Sequence, residues 1–186
     1  YPFAELRHKF LMAQPSNAEP LADAVLPKGL EAFPLPGHFF EMVGFRTSDD
    51  VVYLADCLSS RETLAKYRIG FIYDVAAYLE TLQAVKAMQA EMFVPAHAEP
   101  TRDIAPLAQY NIDQVQAVAE QILAFCGEPL CFERLLQKLF CEYGLIMNFE
   151  QYVLVGSTVR SYLAWLKDTG RMETLFEDNR LLWRRA

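Results

Sequence analysis

The sequence predicts an α/β (α+β) protein in two parts, and three observations carry that prediction. Residues 41–56 form two apolar runs separated by Ser48-Asp49-Asp50, the composition of a tight hairpin turn. Residues 74–95 then give a helical period followed by a short apolar run, so the order is strand, strand, helix, strand. From about residue 107 the pattern becomes helical and closes on a second hairpin motif.

Before the first hairpin, Pro2, Pro15, Pro20 and Pro27 interrupt any long periodic element, so residues 1–30 read as short strands and loops. Residues 41–47 and 51–56 are the first strands. Asp74 is a good N-cap for a helix whose apolar residues Val75, Tyr78, Leu79, Leu82, Val85 and Met88 share one face. Residues 92–95 are a buried strand leading to His97, and residues 98–107 are a turn-rich loop. A helix is predicted over 111–125 through Ile112, Val115, Val118, Ile122 and Phe125, stopped by Gly127-Glu128-Pro129. Further helices are predicted over 132–142, ended by Gly144, and over 150–166. The segment 172–185 reads as a hairpin turning at Asp178-Asn179. Three helices and a hairpin have the outline of a winged helix. The expected domains are 1–108 and 109–186, with no Gly/Ser-rich linker between them and hence a packed interface.

The chain of 186 residues is 53% hydrophobic and 13% aromatic, enough for a real core. Its net charge of -7 and pI near 5.0 argue against a general polyanion binder, which needs basic surface to displace counterions from phosphates. No apolar run approaches the roughly 18 residues that span a bilayer, and no basic segment precedes a hydrophobic one at the N-terminus. The expectation is a soluble cytoplasmic protein without a membrane partner. The four cysteines, Cys57, Cys126, Cys131 and Cys141, form no Cys-x-x-Cys pair and read as reduced core thiols, with a supporting role beside Asp56 the alternative for Cys57. A chain that begins at Tyr1 suggests a fragment or processed product.

His38, Asp56 and His97 each lie just before or after a predicted core strand, where side chains from separate strands can meet on one rim. Gly37 permits positive φ in front of His38, and Pro36 stiffens the approach. Two imidazoles and a carboxylate suit zinc, iron or manganese. The competing reading makes the histidines hydrogen-bonded structural groups and Asp56 a cap for the segment after it. Spacings of 18 and 41 residues form no local ligand motif.

The Pro36-Gly37-His38 turn, the strand ending Leu54-Ala55-Asp56, and Met92-Phe93-Val94-Pro95-Ala96-His97 resemble, in order, the C-terminal half of metallo-β-lactamase superfamily hydrolases. The resemblance covers about residues 10–107. It implies half of an αββα sandwich and a two-metal zinc site, with His38 on the first metal, Asp56 bridging and His97 on the second. A metal-activated water would attack an ester, thioester or related bond of a small-molecule substrate. The chain departs from the family in one decisive way: it has no His-x-His-x-Asp-His run, and His8 has no histidine partner at that spacing. Phe39, Phe40 and Ala98 replace smaller residues, which bears only on pocket shape. Three ligands divided between two metals leave each short of the three protein ligands of a catalytic zinc, so the chain alone is expected to bind metal weakly or not at all and not to hydrolyse.

An uncovered half-sandwich exposes an apolar sheet face, which implies a homo-oligomer. The segment 157–172 resembles the third helix and turn of a winged-helix-like appendage found on some of these hydrolases. DNA contact through it is disfavoured: residues 109–186 hold 8 Lys/Arg against 10 Asp/Glu, and only Arg160 and Lys167 are basic on the helix. Tyr162, Trp165, Phe176 and Trp183 read as core and interface anchors. The alternative function is a non-catalytic interaction or dimerisation module.

Overall fold

The Ser48–Asp50 turn folds the chain as its composition predicts. The Thr47 hydroxyl bridges to the backbone N–H and carbonyl of Val51 at 3.2 Å, Asp50 sits at φ 63°, and Arg46 pairs with the Asp50 carboxylate. This turn joins β2 (Val43–Thr47) to β3 (Val51–Ser59) in a computed structural model that describes residues 16–186. With β1 (Leu30–Pro34) and β4 (Met92–His97) they form a four-stranded sheet in the order β1-β2-β3-β4, antiparallel except for the parallel β3/β4 pair. The crossover between β3 and β4 holds α1 (Arg61–Tyr67) and α2 (Val75–Ala87). Asp74 caps α2 as predicted, accepting from Ala77 N–H at 3.0 Å. The expectation for residues 1–15, including His8, lies outside the described residues. Strand β1 is an addition to the sequence reading.

Beyond β4 come α3 (Ala105–Phe125), β5 (Leu130–Cys131), α4 (Phe132–Tyr143), α5 (Phe149–Asp168), β6 (Met172–Glu177) and β7 (Arg180–Arg185), with the second sheet ordered β5-β7-β6. Asp178 and Asn179 both take positive φ, 49° and 58°, the backbone a two-residue hairpin needs. Gly144 ends α4 in the left-handed region, and Asn148 caps α5. Helix α3 starts at Ala105 rather than at Asn111 as predicted. Its signal is Pro106, which suits a first turn whose N–H groups have no intrahelical acceptor.

One apolar core runs through both parts. Val52 and Leu54 of β3 and Phe93 of β4 are buried with Val75, Tyr78, Leu82 and Val85 of α2 and Ala108, Ile112, Val115 and Ala119 of α3. Position 108 therefore lies inside a helix that packs on β3. Polar ties cross the same seam. The Asn111 amide accepts from Ser59 N–H and donates to Ser59 C=O, each at 2.9 Å. From α5, the Thr158 hydroxyl accepts from Ile72 N–H at 3.1 Å and the Ser161 hydroxyl donates to Tyr73 C=O at 2.7 Å.

On the other face of the first sheet, Ala32, Phe45, Tyr53 and Val94 stand in one cross-strand row. Tyr53 is 45% exposed, and a groove lined by Val43, Phe45, Tyr53 and Val94 runs along this face.

Two side-chain expectations fail. Phe176 is 82% exposed rather than an anchor, because it lies beside the hairpin tip, past the part of β6 where Met172 is buried; Tyr162 is buried, and Trp165 and Trp183 pack against the core. All four cysteines are free, yet only Cys57 and Cys126 are buried, since Cys141 occupies the outer face of α4 and Cys131 is half-buried. Burial pushes the Cys57 thiol up to about 12 and that of Cys126 to about 11, so neither is a thiolate at neutral pH. Iodoacetamide on the native protein is expected to alkylate Cys141 first and to spare Cys57 and Cys126 until denaturant is added. Peptide mass spectrometry over a time course checks this order.

Candidate metal centre

His38 is held by a turn that only glycine can complete. Gly37 has φ +121°, and a Cβ built there would lie 2.3 Å from both the Cα and the N of Tyr78, at the start of α2. The carbonyls of the turn are fastened to the same helix: Pro36 C=O accepts from the Thr81 hydroxyl at 2.6 Å, and Gly37 C=O accepts from the N–H groups of Tyr73 and Asp74 at 3.0 Å. The imidazole meets the Phe71 ring edge-on at 5.5 Å. Burial holds the His38 pKa below its ordinary 6.5, helped by His97; Asp56 and a backbone hydrogen bond with Phe71 oppose the shift. At neutral pH the ring is uncharged and has a lone pair to offer.

Asp56 does not end its strand, as the sequence suggested, because β3 continues to Ser59. The carboxylate is redirected by a local irregularity. Ala55 has φ 46°, and the pairing with β4 slips on either side of it. Leu54 and Cys57, three residues apart, are both fully buried, which a strand of period two forbids without a bulge. The inserted residue carries Asp56 to the rim where β4 terminates. His97 is the last residue of β4, and its carbonyl accepts from Ser60 N–H at 2.8 Å. That serine, not Asp56, caps α1, its hydroxyl accepting from Thr63 N–H.

The three side chains meet. His97 Nε2 lies 3.2 Å from Asp56 Oδ1, and His38 Nε2 lies 3.9 Å from Asp56 Oδ2. One carboxylate thus stands between two imidazoles, each facing a different oxygen. Among the described residues no group of three or more His, Cys, Asp or Glu side chains is arranged to hold a single ion. This agrees with the pairwise geometry, which supplies one nitrogen and one oxygen at each side of Asp56.

Sequence reasoning missed the surroundings. A cavity of about 50 Å³ opens beside His38 and Asp56, walled by Arg68, Phe71, Tyr78, Asn111, Gln114 and Tyr162. Tyr78 and Tyr162 read only as apolar positions in helical patterns, and no motif marks Arg68. Following His38 in the chain, Phe39 and Phe40 are exposed and pack with the exposed Tyr73, with centroid separations of 4.3 to 6.1 Å.

The mixed sheet with helices on one face is part of the fold of metallo-β-lactamase family proteins. The solved structures similar to it include a metallo-beta-lactamase family protein from Thermus thermophilus, at TM-score 0.65 and 17% identity over 84% of this chain. They also include a beta-lactamase domain protein from Burkholderia ambifaria, at TM-score 0.66 and 17% identity over 91% of this chain. The chain covers 49% and 54% of those proteins, so it spans about half their length. No family model and no curated protein sequence matches it. Among the described residues no helix is long and apolar enough to cross a membrane.

Proposed function

We propose that this chain carries the C-terminal ligand set of a metal-dependent hydrolase of the metallo-β-lactamase type. His38 would bind one metal, His97 the other, and Asp56 would bridge them. The observation that supports this most is the single carboxylate with an imidazole at each oxygen, 3.2 and 3.9 Å away. The donor set fits zinc and accepts iron or manganese. When bound, such a metal lowers the pKa of a coordinated water and polarises the bond to be cleaved. The residues of the chain have their own tasks: Gly37 and α2 fix the His38 ring, the Ala55 bulge aims Asp56, and the Ser60 amide anchors His97.

Two donors at each position fall short of the three that a catalytic zinc uses. The reading therefore assigns the remaining ligands to a His-x-His-x-Asp-His segment outside this sequence, and this chain alone binds zinc weakly or not at all and is inactive. Esters, thioesters and related small molecules are the substrate class. Elemental analysis of the longer protein that this reading implies, beside its His38→Ala and Asp56→Ala variants, tests the assignment, and equal metal in all three removes it.

The order α3, β5, α4, α5, β6, β7 supports the winged-helix reading of residues 109–186, in a packing role rather than on DNA. Free cysteines accord with a cytoplasmic location. The row Ala32, Phe45, Tyr53 and Val94 favours self-association, and it is also what a non-catalytic interaction module would present. Light scattering at micromolar concentration should give more than a monomer mass, and Phe45→Lys should reduce it.

A further inference from the structure

The cavity beside His38 and Asp56 is unusual in what its walls offer. Tyr78 and Tyr162 are 6% and 2% exposed, and neither hydroxyl has a hydrogen-bond partner among the described residues. A buried hydroxyl without a partner is costly and marks a place where something else supplies the acceptor. Gln114 and Arg68 line the same cavity. The Gln114 amide is unpaired, and Arg68, exposed at the C-terminal end of α1, has no carboxylate within ion-pairing distance among the described residues. Asn111, also on the wall, spends its amide on the Ser59 and Leu107 backbone. Apart from Asp56, which faces the two imidazoles, no acid among the described residues lines the cavity. Among the described residues the free polar groups on the wall are thus one guanidinium, the hydroxyls of Ser59, Tyr78 and Tyr162, and the Gln114 amide.

We propose that this cavity is a substrate subsite for a carboxylate, seated between Arg68, Gln114 and the hydroxyls of Tyr78 and Tyr162 while the scissile bond lies at Asp56. The proposal rests on the reading of His38, Asp56 and His97 as the metal-facing edge. A monoanion matches the single cation, and its four lone-pair directions match donors from several sides. The one guanidinium on the wall would leave the second charge of a phosphate dianion unpaired. The substrate class narrows to esters or thioesters of short acids that carry a second carboxylate. Tyr162 comes from α5 and Gln114 from α3, so the C-terminal helices would set specificity at the site.

The test is a titration of isotope-labelled protein with propionate, propionamide and inorganic phosphate, with and without zinc, followed by NMR at the Gln114 amide and the Arg68 Nε–H. Propionate is expected to shift both signals in the zinc-free protein, with propionamide and phosphate at least about tenfold weaker. Arg68→Gln should weaken propionate about tenfold or more and Tyr162→Phe several-fold, the latter with its unfolding temperature unchanged or raised. Propionate binding that both variants leave intact, that needs zinc, or that phosphate outcompetes overturns the proposal. Zinc uptake with no propionate response removes the subsite and leaves the hydrolase reading standing. Propionate binding without any zinc uptake supports the subsite and leaves the metal reading to be decided by metal content of the longer protein.

Discussion

Gly37→Ala is expected to lower stability by about 3 kcal/mol or more, the combined cost of a non-glycine residue at positive φ and of overpacking against a rigid element. The added methyl would stand 2.3 Å from the backbone of Tyr78, and no rotamer change relieves an overlap with main chain. The turn must back away from α2, which breaks the bonds from Tyr73, Asp74 and Thr81 that hold its carbonyls. For a chain of this length that loss corresponds to a fall of about 6–12 °C in unfolding temperature. Gly70→Ala is the internal control. It lies in the loop under His38, an added Cβ meets nothing within 4 Å, and its effect should stay within about 0.5 kcal/mol. Calorimetry of the two variants beside the parent decides the matter, and equal unfolding temperatures would show that the turn is not clamped.

Asp56→Asn should remove metal from both positions at once. The substitution keeps the shape of the side chain but leaves one neutral acceptor where two anionic oxygens face two imidazoles. Losing a group that merely supports a ligand costs about 10- to 100-fold in metal affinity, so losing the carboxylate proposed as the bridge should cost about 100-fold or more. His38→Ala and His97→Ala should each weaken one position and leave part of the other. The carboxylate is partly exposed, so folding should change by no more than about 0.5 kcal/mol. Parallel zinc titrations and melting curves separate the two effects. Zinc affinity that survives Asp56→Asn would place any metal elsewhere.

What the sequence revealed follows from how local the determining interactions are. Asp74 caps a helix with a bond to Ala77, and Asp178-Asn179 satisfies its turn within four residues; both were legible. The convergence of His38, Asp56 and His97 is long-range and came into view through the resemblance of three short motifs. The bulge at Ala55 left no trace, because alanine is not a residue that advertises positive φ and no glycine marks the run around it. The starting turn of α3 was hidden by Pro106, read as a loop residue. Phe176 and Cys141 were misjudged because residue type does not say which face of a hairpin or helix meets solvent.

The bonds from Thr158 to Ile72 and from Ser161 to Tyr73 join α5 to the stretch on which the His38 ring rests. The stretch beneath the imidazole is thus tied to the C-terminal helices by two polar bonds. The lower half of the chain therefore serves as a foundation for the upper, and severing the two at residue 108 would cut a helix in mid-course and leave that floor without its props.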